Sequence, residues 1–193
     1  MVAGSILPVS FHNGKLHFLF GKENPLEDSS KGFSDFGGGV EKGETPFLTA
    51  LREGGEELTG FLGDKSNIKR LIKKGKGPIK FSHNDYHIHM FFMDYDENLP
   101  KYYNNNHYFL WNRMDKKYLN DTKLFEKIEI RWFCEDELKK HRSLFREFYR
   151  DIIDKLIEFI PNIYKNIGKK RRRCLTAKCK KPLRKKTMKM RGG

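Results

Sequence analysis

Long apolar runs are missing from this chain of 193 residues. Nowhere do about 18 apolar residues follow one another, which excludes a membrane-spanning helix. The N-terminus lacks a basic region followed by a long apolar stretch, so a soluble, unsecreted protein is expected. Cysteine is scarce: Cys134, Cys174 and Cys179 make an odd set of three. That is no disulfide framework at this size, and it suits a reducing compartment. Cys174 and Cys179 have no companion pair, which argues against a zinc site. No internal repeat occurs.

Acidic residues are absent from one region. Between Lys169 and Gly193 there are thirteen Lys or Arg and no Asp or Glu. The formal charge of +14 therefore sits almost wholly in that tail, since the residues before it carry 26 basic and 25 acidic side chains. With little apolar content the tail cannot build a core of its own and is expected to be disordered. The expected organisation is one domain over residues 1–168, long enough for a sizeable core, followed by a basic tail over 169–193.

Residues 2–11 and 15–20 are apolar runs separated by His12, Asn13 and Gly14, a hairpin signal. Residues 32–39 predict a short strand, 68–72 and 79–81 further short strands, and 86–95 a longer one. Residues 97–122, rich in Asn, Lys and Tyr, predict a loop with a helical turn near Leu119. Residues 126–133 alternate Ile128, Ile130 and Trp132 with charged neighbours and predict a strand. Phe145, Phe148, Ile152, Leu156, Phe159 and Ile160 fall at helical spacing and predict a long amphipathic helix over about 143–163. Strands flanking an early helix, with a second helix closing the domain, indicate an α/β/α sandwich with a mixed sheet.

The densest information lies in residues 38–57. Gly38 is followed after five residues by Glu44, and after seven more by Arg52, Glu53, Gly54, Gly55, Glu56 and Glu57. Thr45 suits an N-cap and Pro46 the first helical position, which predicts a helix to about Leu58. On it Glu53, Glu56 and Glu57 stand at i, i+3 and i+4, so all three carboxylates share a face. Hard divalent ions, Mg²⁺ or Mn²⁺, relieve that repulsion and can bridge diphosphate oxygens. Arg52 can orient a carboxylate through a bidentate contact, with Glu44 the candidate partner. Gly37, Gly38 and Gly39 let backbone approach phosphate closely. Six specified residues at this spacing should coincide in about one random chain in 10^5.

This stretch resembles the Nudix box, G-x5-E-x7-R-E-U-x-E-E-x-G-U with U aliphatic. It departs where Gly54 replaces the aliphatic residue, and where Leu58, Thr59, Gly60 and Phe61 carry one residue more than the consensus ending. Two helical glycines call for support, with another backbone packed against Gly54 as the expected source; Gly60 suits a left-handed helix stop. The resemblance implies a Nudix-like fold and a metal-dependent diphosphate hydrolase. In it Glu53, Glu56 and Glu57 are metal ligands, Gly38, Gly39 and Glu44 form the phosphate loop, and Arg52 and Glu57 are catalytic.

The general base is left open among Glu126, Glu129, Glu56 and Glu57. A carboxylate shortly before a strand ending in Trp-Phe is a feature of decapping members, and residues 126–133 look similar. His83, His87 and His89 are expected to be surface or pocket-lining rather than metal-binding. Phe33, Phe36 and Trp132 are expected in the core, with stacking on a base the alternative.

The tail separates the substrates. Lys169, Lys170, Arg171, Arg172, Arg173, Lys180, Lys181, Arg184, Lys185 and Lys186 will attract a polyanion, with salt-sensitive affinity. An enzyme acting on capped RNA has use for such an arm. The favoured expectation is hydrolysis of the mRNA 5′ cap, releasing m7GDP and 5′-monophosphate RNA, in a protein most like the decapping Nudix enzymes of large DNA viruses. A diphosphoinositol polyphosphate or dinucleoside polyphosphate hydrolase is the alternative, and a non-catalytic RNA-binding or packaging protein the second. A cytoplasmic location is expected, with nuclear targeting by the tail or packaging in a virion also open.

Overall fold

Asn13 and Gly14 both take left-handed backbone angles, φ 48° and 79°, the geometry a two-residue hairpin turn requires. They join β1 (Ala3–His12) to β2 (Lys15–Glu23). The computed structural model describes residues 1–24, 31–115, 117–118 and 126–178, with side chains as far as residue 167. In the expected strand over 32–39, Asp35 interrupts the ladder, giving β3 (Phe33–Ser34) and β4 (Phe36–Gly39). Next come α1 (Pro46–Glu57), α2 (Lys65–Lys74), β5 (Ile79–His83), β6 (Tyr86–Phe92), α3 (Asn98–Trp111) and β7 (Lys127–Cys134). A short α4 (Glu135–Lys140), a 3-10 turn (Arg142–Leu144) and α5 (Tyr149–Lys178) complete the order.

The seven strands among the described residues form one mixed sheet in which β1 runs parallel to β6, and the other strand pairings are antiparallel. Alternation along β2 divides the core between the two faces. Leu19 joins Ile6, Phe91, Ile130 and Trp132 beneath α1, α2 and α3. On the opposite face Phe20 makes edge contacts with Phe133, Phe145 and Tyr149, the last at the start of α5. This is the expected α/β/α sandwich.

Three expectations fail locally. Residues 68–72 are helical: the Asp64 side chain caps Asn67 N at 2.8 Å, and Ile68 and Ile72, four apart, bury one stripe of α2. Most of 97–122 is α3, which buries Tyr103 and His107 one helical turn apart; Leu119 lies outside the described residues. The closing helix begins at Tyr149 rather than near Ser143, so Phe148 is half exposed while Phe145 packs in the core before the helix starts. It continues to Lys178, past the expected end near Ile163.

By contact the chain divides into units Met1–Glu158 and Phe159–Gly193. Residues 179–193, with Lys180, Lys181, Arg184, Lys185 and Lys186, lie outside the described residues. Among the described residues no helix is long and apolar enough to cross a membrane.

Candidate active site

Thr45 and Pro46 start α1 as the sequence indicates: the Thr45 hydroxyl accepts from Leu48 N at 3.3 Å, with Pro46 first in the helix. The end of α1 is also set locally. Gly60, at φ 75°, lends its N–H to Gly55 O at 3.1 Å, closing the last turn. Between these ends Gly54 lies directly against β1. A Cβ there would collide with the Ile6 side chain, whereas one at Gly55 would meet only ordinary contacts at 3.7 Å and beyond. The neighbour of Gly54 is thus an isoleucine side chain, not the backbone the sequence suggested.

Arg52 organises the acidic groups. Its Nε and Nη2 donate to the two oxygens of Glu44 at 3.2 and 3.1 Å, the bidentate fork expected from the spacing. Thr49 Oγ1 adds a third donor to Glu44 at 2.7 Å. The Arg52 hydrogen bonds, then Thr49, pull the Glu44 carboxyl down to about 2. The remaining Arg52 nitrogen, Nη1, reaches Glu53 at 2.8 Å and Glu56 at 3.2 Å. Glu53 is mostly buried, and burial raises its pKa against the pull of Arg52. At Gly38 a Cβ would press on the Glu53 carboxylate, which would have to shift. Gly39 is exposed at the end of β4.

Glu57 points elsewhere. Only 5% exposed, it accepts from Gly37 N at 2.8 Å and faces Lys127 Nζ at 3.0 Å. Lys127 is wholly buried and also pairs with Glu23, while donating to Ser34 Oγ at 3.1 Å. Arg146 reaches the same Glu23 at 2.6 Å. Burial lifts Glu57 to about 8; Lys127 opposes the rise and Glu23 adds to it. Lys127 itself is raised: burial works against its charge, and Glu57 and Glu23 more than offset that cost.

The expected convergence of three carboxylates is therefore realised only in part. Glu53 and Glu56 meet around one positive group, the Arg52 guanidinium, and their hard oxygen donors fit a divalent ion in kind. Glu57 turns inward because Lys127 and Gly37 N hold it. Among the described residues no three of His, Cys, Asp or Glu are grouped so as to hold a metal ion.

Glu126 is half buried at the entry to β7; its carbonyl accepts from Asn24 N at 2.8 Å, and its charge helps to raise Glu57. Glu129 instead pairs with Lys22 across the sheet at 3.5 Å. His87 and His89 line a hollow of about 270 Å³ with Lys80 and the start of α1; His89 Nδ1 lies 3.3 Å from Ser5 O. Phe33, Phe36 and Trp132 are buried, and Trp132 Nε1 donates to Asp96 O at 2.9 Å, so these rings belong to the core.

Sequence reasoning missed Lys127 and Asp35. Lys127 looks like one more exposed charge on an alternating strand. Asp35 is a carboxyl at 1% exposure, bonded by the hydroxyls of Ser5 and, at 2.6 Å, Tyr86. Only its place among Phe33, Ser34 and Phe36 could have hinted at burial.

No family model matches the chain, and no curated protein matches it. Among solved structures it is similar to a C. elegans Ap4A hydrolase in a binary complex, at 12% identity and TM-score 0.47, covering 83% of this chain and 97% of that one. It is similar to a mutT/nudix family protein from Listeria innocua at 15% identity and TM-score 0.46, covering 84% and 95%. It is also similar to the Nudix hydrolase RenU from M. smegmatis at 14% identity and TM-score 0.47, covering 84% and 88%.

Proposed function

We propose that this protein is a Nudix-type pyrophosphohydrolase whose reaction needs Mg²⁺ or Mn²⁺, and that its substrate is the 5′ cap of mRNA. The observation that carries the reading is the Arg52 clamp. One guanidinium fixes Glu44 with two nitrogens and gathers Glu53 and Glu56 with the third, beside a glycine that leaves the Glu53 carboxylate room. An ordinary acidic helix surface has no use for that arrangement.

Glu53, Glu56 and Glu57 are the residues that would hold the ion. Glu57 can exchange its Lys127 contact for it, because Lys127 keeps Glu23 and is not left as a buried unpaired charge. Bound Mg²⁺ or Mn²⁺ supplies charge neutralisation on the diphosphate and a more acidic attacking water. The chain does the rest. Arg52 restrains the helix carboxylates, the β4 glycines admit phosphate to the backbone, and Glu126, whose charge is felt at Glu57, is the proposed acceptor of the water's proton. Cleavage between the cap phosphates would release m7GDP and leave a 5′-monophosphate RNA. The thirteen basic residues after Ile167 favour a long polyanion over a free small molecule.

The test is a product analysis. Purified protein with Mn²⁺ or Mg²⁺ is given cap-labelled RNA, free cap dinucleotide, a diphosphoinositol phosphate and a nucleotide sugar. Released m7GDP with little turnover of the inositol compound is the expected outcome. Preferred turnover of the inositol compound replaces the substrate assignment, and no turnover of any of the four overturns the hydrolase reading.

A further inference from the structure

A cavity of about 590 Å³ opens between α3 and β7, walled among the described residues by Asn104, His107, Tyr108 and Trp111 of the helix, by Asn112 just past its end, and by Ile128 and Glu129 from the strand. That is the size of a small-molecule site. Its construction is specific. The Asn104 side chain accepts from Ile130 N at 2.8 Å and donates to Ile130 O at 3.2 Å, so it satisfies the strand backbone at the cavity edge. His107, buried at 7% exposure, stacks on Trp111 with ring centroids 5.6 Å apart and planes 21° from parallel. Trp111 is thereby held from behind, while Tyr108 stands 73% exposed at the rim.

The lining chemistry selects its ligand. Among the described residues that line it there is no lysine or arginine, and Glu129 is the ionised one. A cluster of phosphates would meet repulsion from the Glu129 carboxylate, and Lys22, which pairs with it at 3.5 Å, is not among the wall residues. A planar base can stack on the rings, an interaction open to every base. Glu129 then discriminates, because a carboxylate only accepts. Guanine presents two adjacent donors on its pairing edge, the ring N–H and the exocyclic amine, which match two carboxylate oxygens. Adenine places an acceptor beside its donor and matches only one. Glu129 also pairs with Lys22 at 3.5 Å, but both side chains are more than a third exposed, so the carboxylate can reorient.

Position matters as much. Glu129 lies two residues beyond Lys127 in β7, with an irregularity in the pairing to β2 between them, and Lys127 Nζ is 3.0 Å from Glu57. Tyr103, on the same helix as the rings, donates towards Glu57 O and Lys127 O at 3.0 and 2.9 Å, which ties α3 to the end of α1. We propose that this cavity is a binding site for the guanine-type base of the nucleoside at one end of the diphosphate, with Glu129 as the specificity residue. For where the phosphates lie, the proposal rests on the hydrolase reading above.

The full chain is titrated with GMP, AMP and inositol hexakisphosphate in EDTA, so that no turnover intrudes, while tryptophan emission is followed. Trp132 is a core residue, so quenching reports Trp111. GMP is expected to quench and to bind about tenfold or more tightly than AMP, the order of a good bidentate contact to a base. Glu129→Gln should erase that preference and Tyr108→Ala should weaken both nucleotides; both positions are partly exposed, so folding is not at risk. Inositol hexakisphosphate should neither quench nor displace GMP. Equal affinity for GMP and AMP in the unaltered protein, a preference that survives Glu129→Gln, or displacement by the inositol compound overturns the site. Guanine-selective binding without hydrolysis under Mn²⁺ removes the hydrolase reading and leaves the cavity; hydrolysis without guanine preference removes the cavity alone.

Discussion

Asp35 carries a charge where the fold offers little solvation, and its titration should be visible in stability. Burial lifts its carboxyl from an ordinary 3.8 to about 6, against the opposing hydroxyls of Ser5 and Tyr86. A carboxyl raised on folding binds its proton more tightly in the folded state. Its contribution is complete below about pH 4 and is lost as pH rises through 6. Asp35→Asn should therefore gain in Tm relative to the unaltered protein between pH 4 and pH 7, whatever the offset at either end. A difference that stays constant across that range would contradict the assignment. At this scale the sequence was most legible where spacing carried the information. Glu44 and Arg52 meet as their interval implies, and Gly38 lies against Glu53, since a loop and a helix start convert interval directly into position. Lys127 and the inward turn of Glu57 were not legible, because which side of a strand is buried depends on what packs there from Glu23, Ser34 and α1.

Helices show the same division. The start of α1 was readable from Thr45 and Pro46, because capping is a local contest between side chain and water. Its interior was not, since the need for Gly54 comes from Ile6, distant in sequence. That distinction gives a paired test. Gly54→Ala should destabilise by about 1–3 kcal/mol through overpacking. Gly55→Ala, with open space and the same helical backbone, should stabilise by roughly 0.5–1 kcal/mol. Chemical denaturation of both variants decides it, and equal effects of one sign would refute the packing account. The helix α3 escaped because its Asn-rich surface hides the few positions that matter. Tyr103 and His107 bury against partners that no local pattern names. Tyr103→Phe removes a hydrogen bond linking three elements and should cost about 1–2 kcal/mol, read as a lowered unfolding midpoint.

Across the whole molecule charge is divided from chemistry. Residues 1–168 carry a nearly balanced set of charges and all the acidic groups of the candidate site, and the excess lies beyond Ile167. Deleting residues 169–193 should weaken capture of long RNA and flatten its dependence on salt, because counterion release scales with the cations engaged. Cleavage of a free cap dinucleotide should be spared. Loss of all turnover on truncation would give those residues a structural task instead. The α/β/α layering was legible because alternation and helical spacing state which face is apolar; the extension of α5 to Lys178 was not, since a composition poor in apolar residues gives no core-facing stripe to read.

The most direct measurement is the rate of diphosphate hydrolysis as Mn²⁺ is added, for the unaltered protein and for Glu56→Gln. Glu56 is 60% exposed, so its replacement leaves the fold intact. No turnover in EDTA, a rise with Mn²⁺, and a loss of at least about 100-fold in the variant are predicted, since ion-assisted catalysis supplies several kcal/mol. Equal turnover by the two proteins, or a rate indifferent to the ion, would contradict the account.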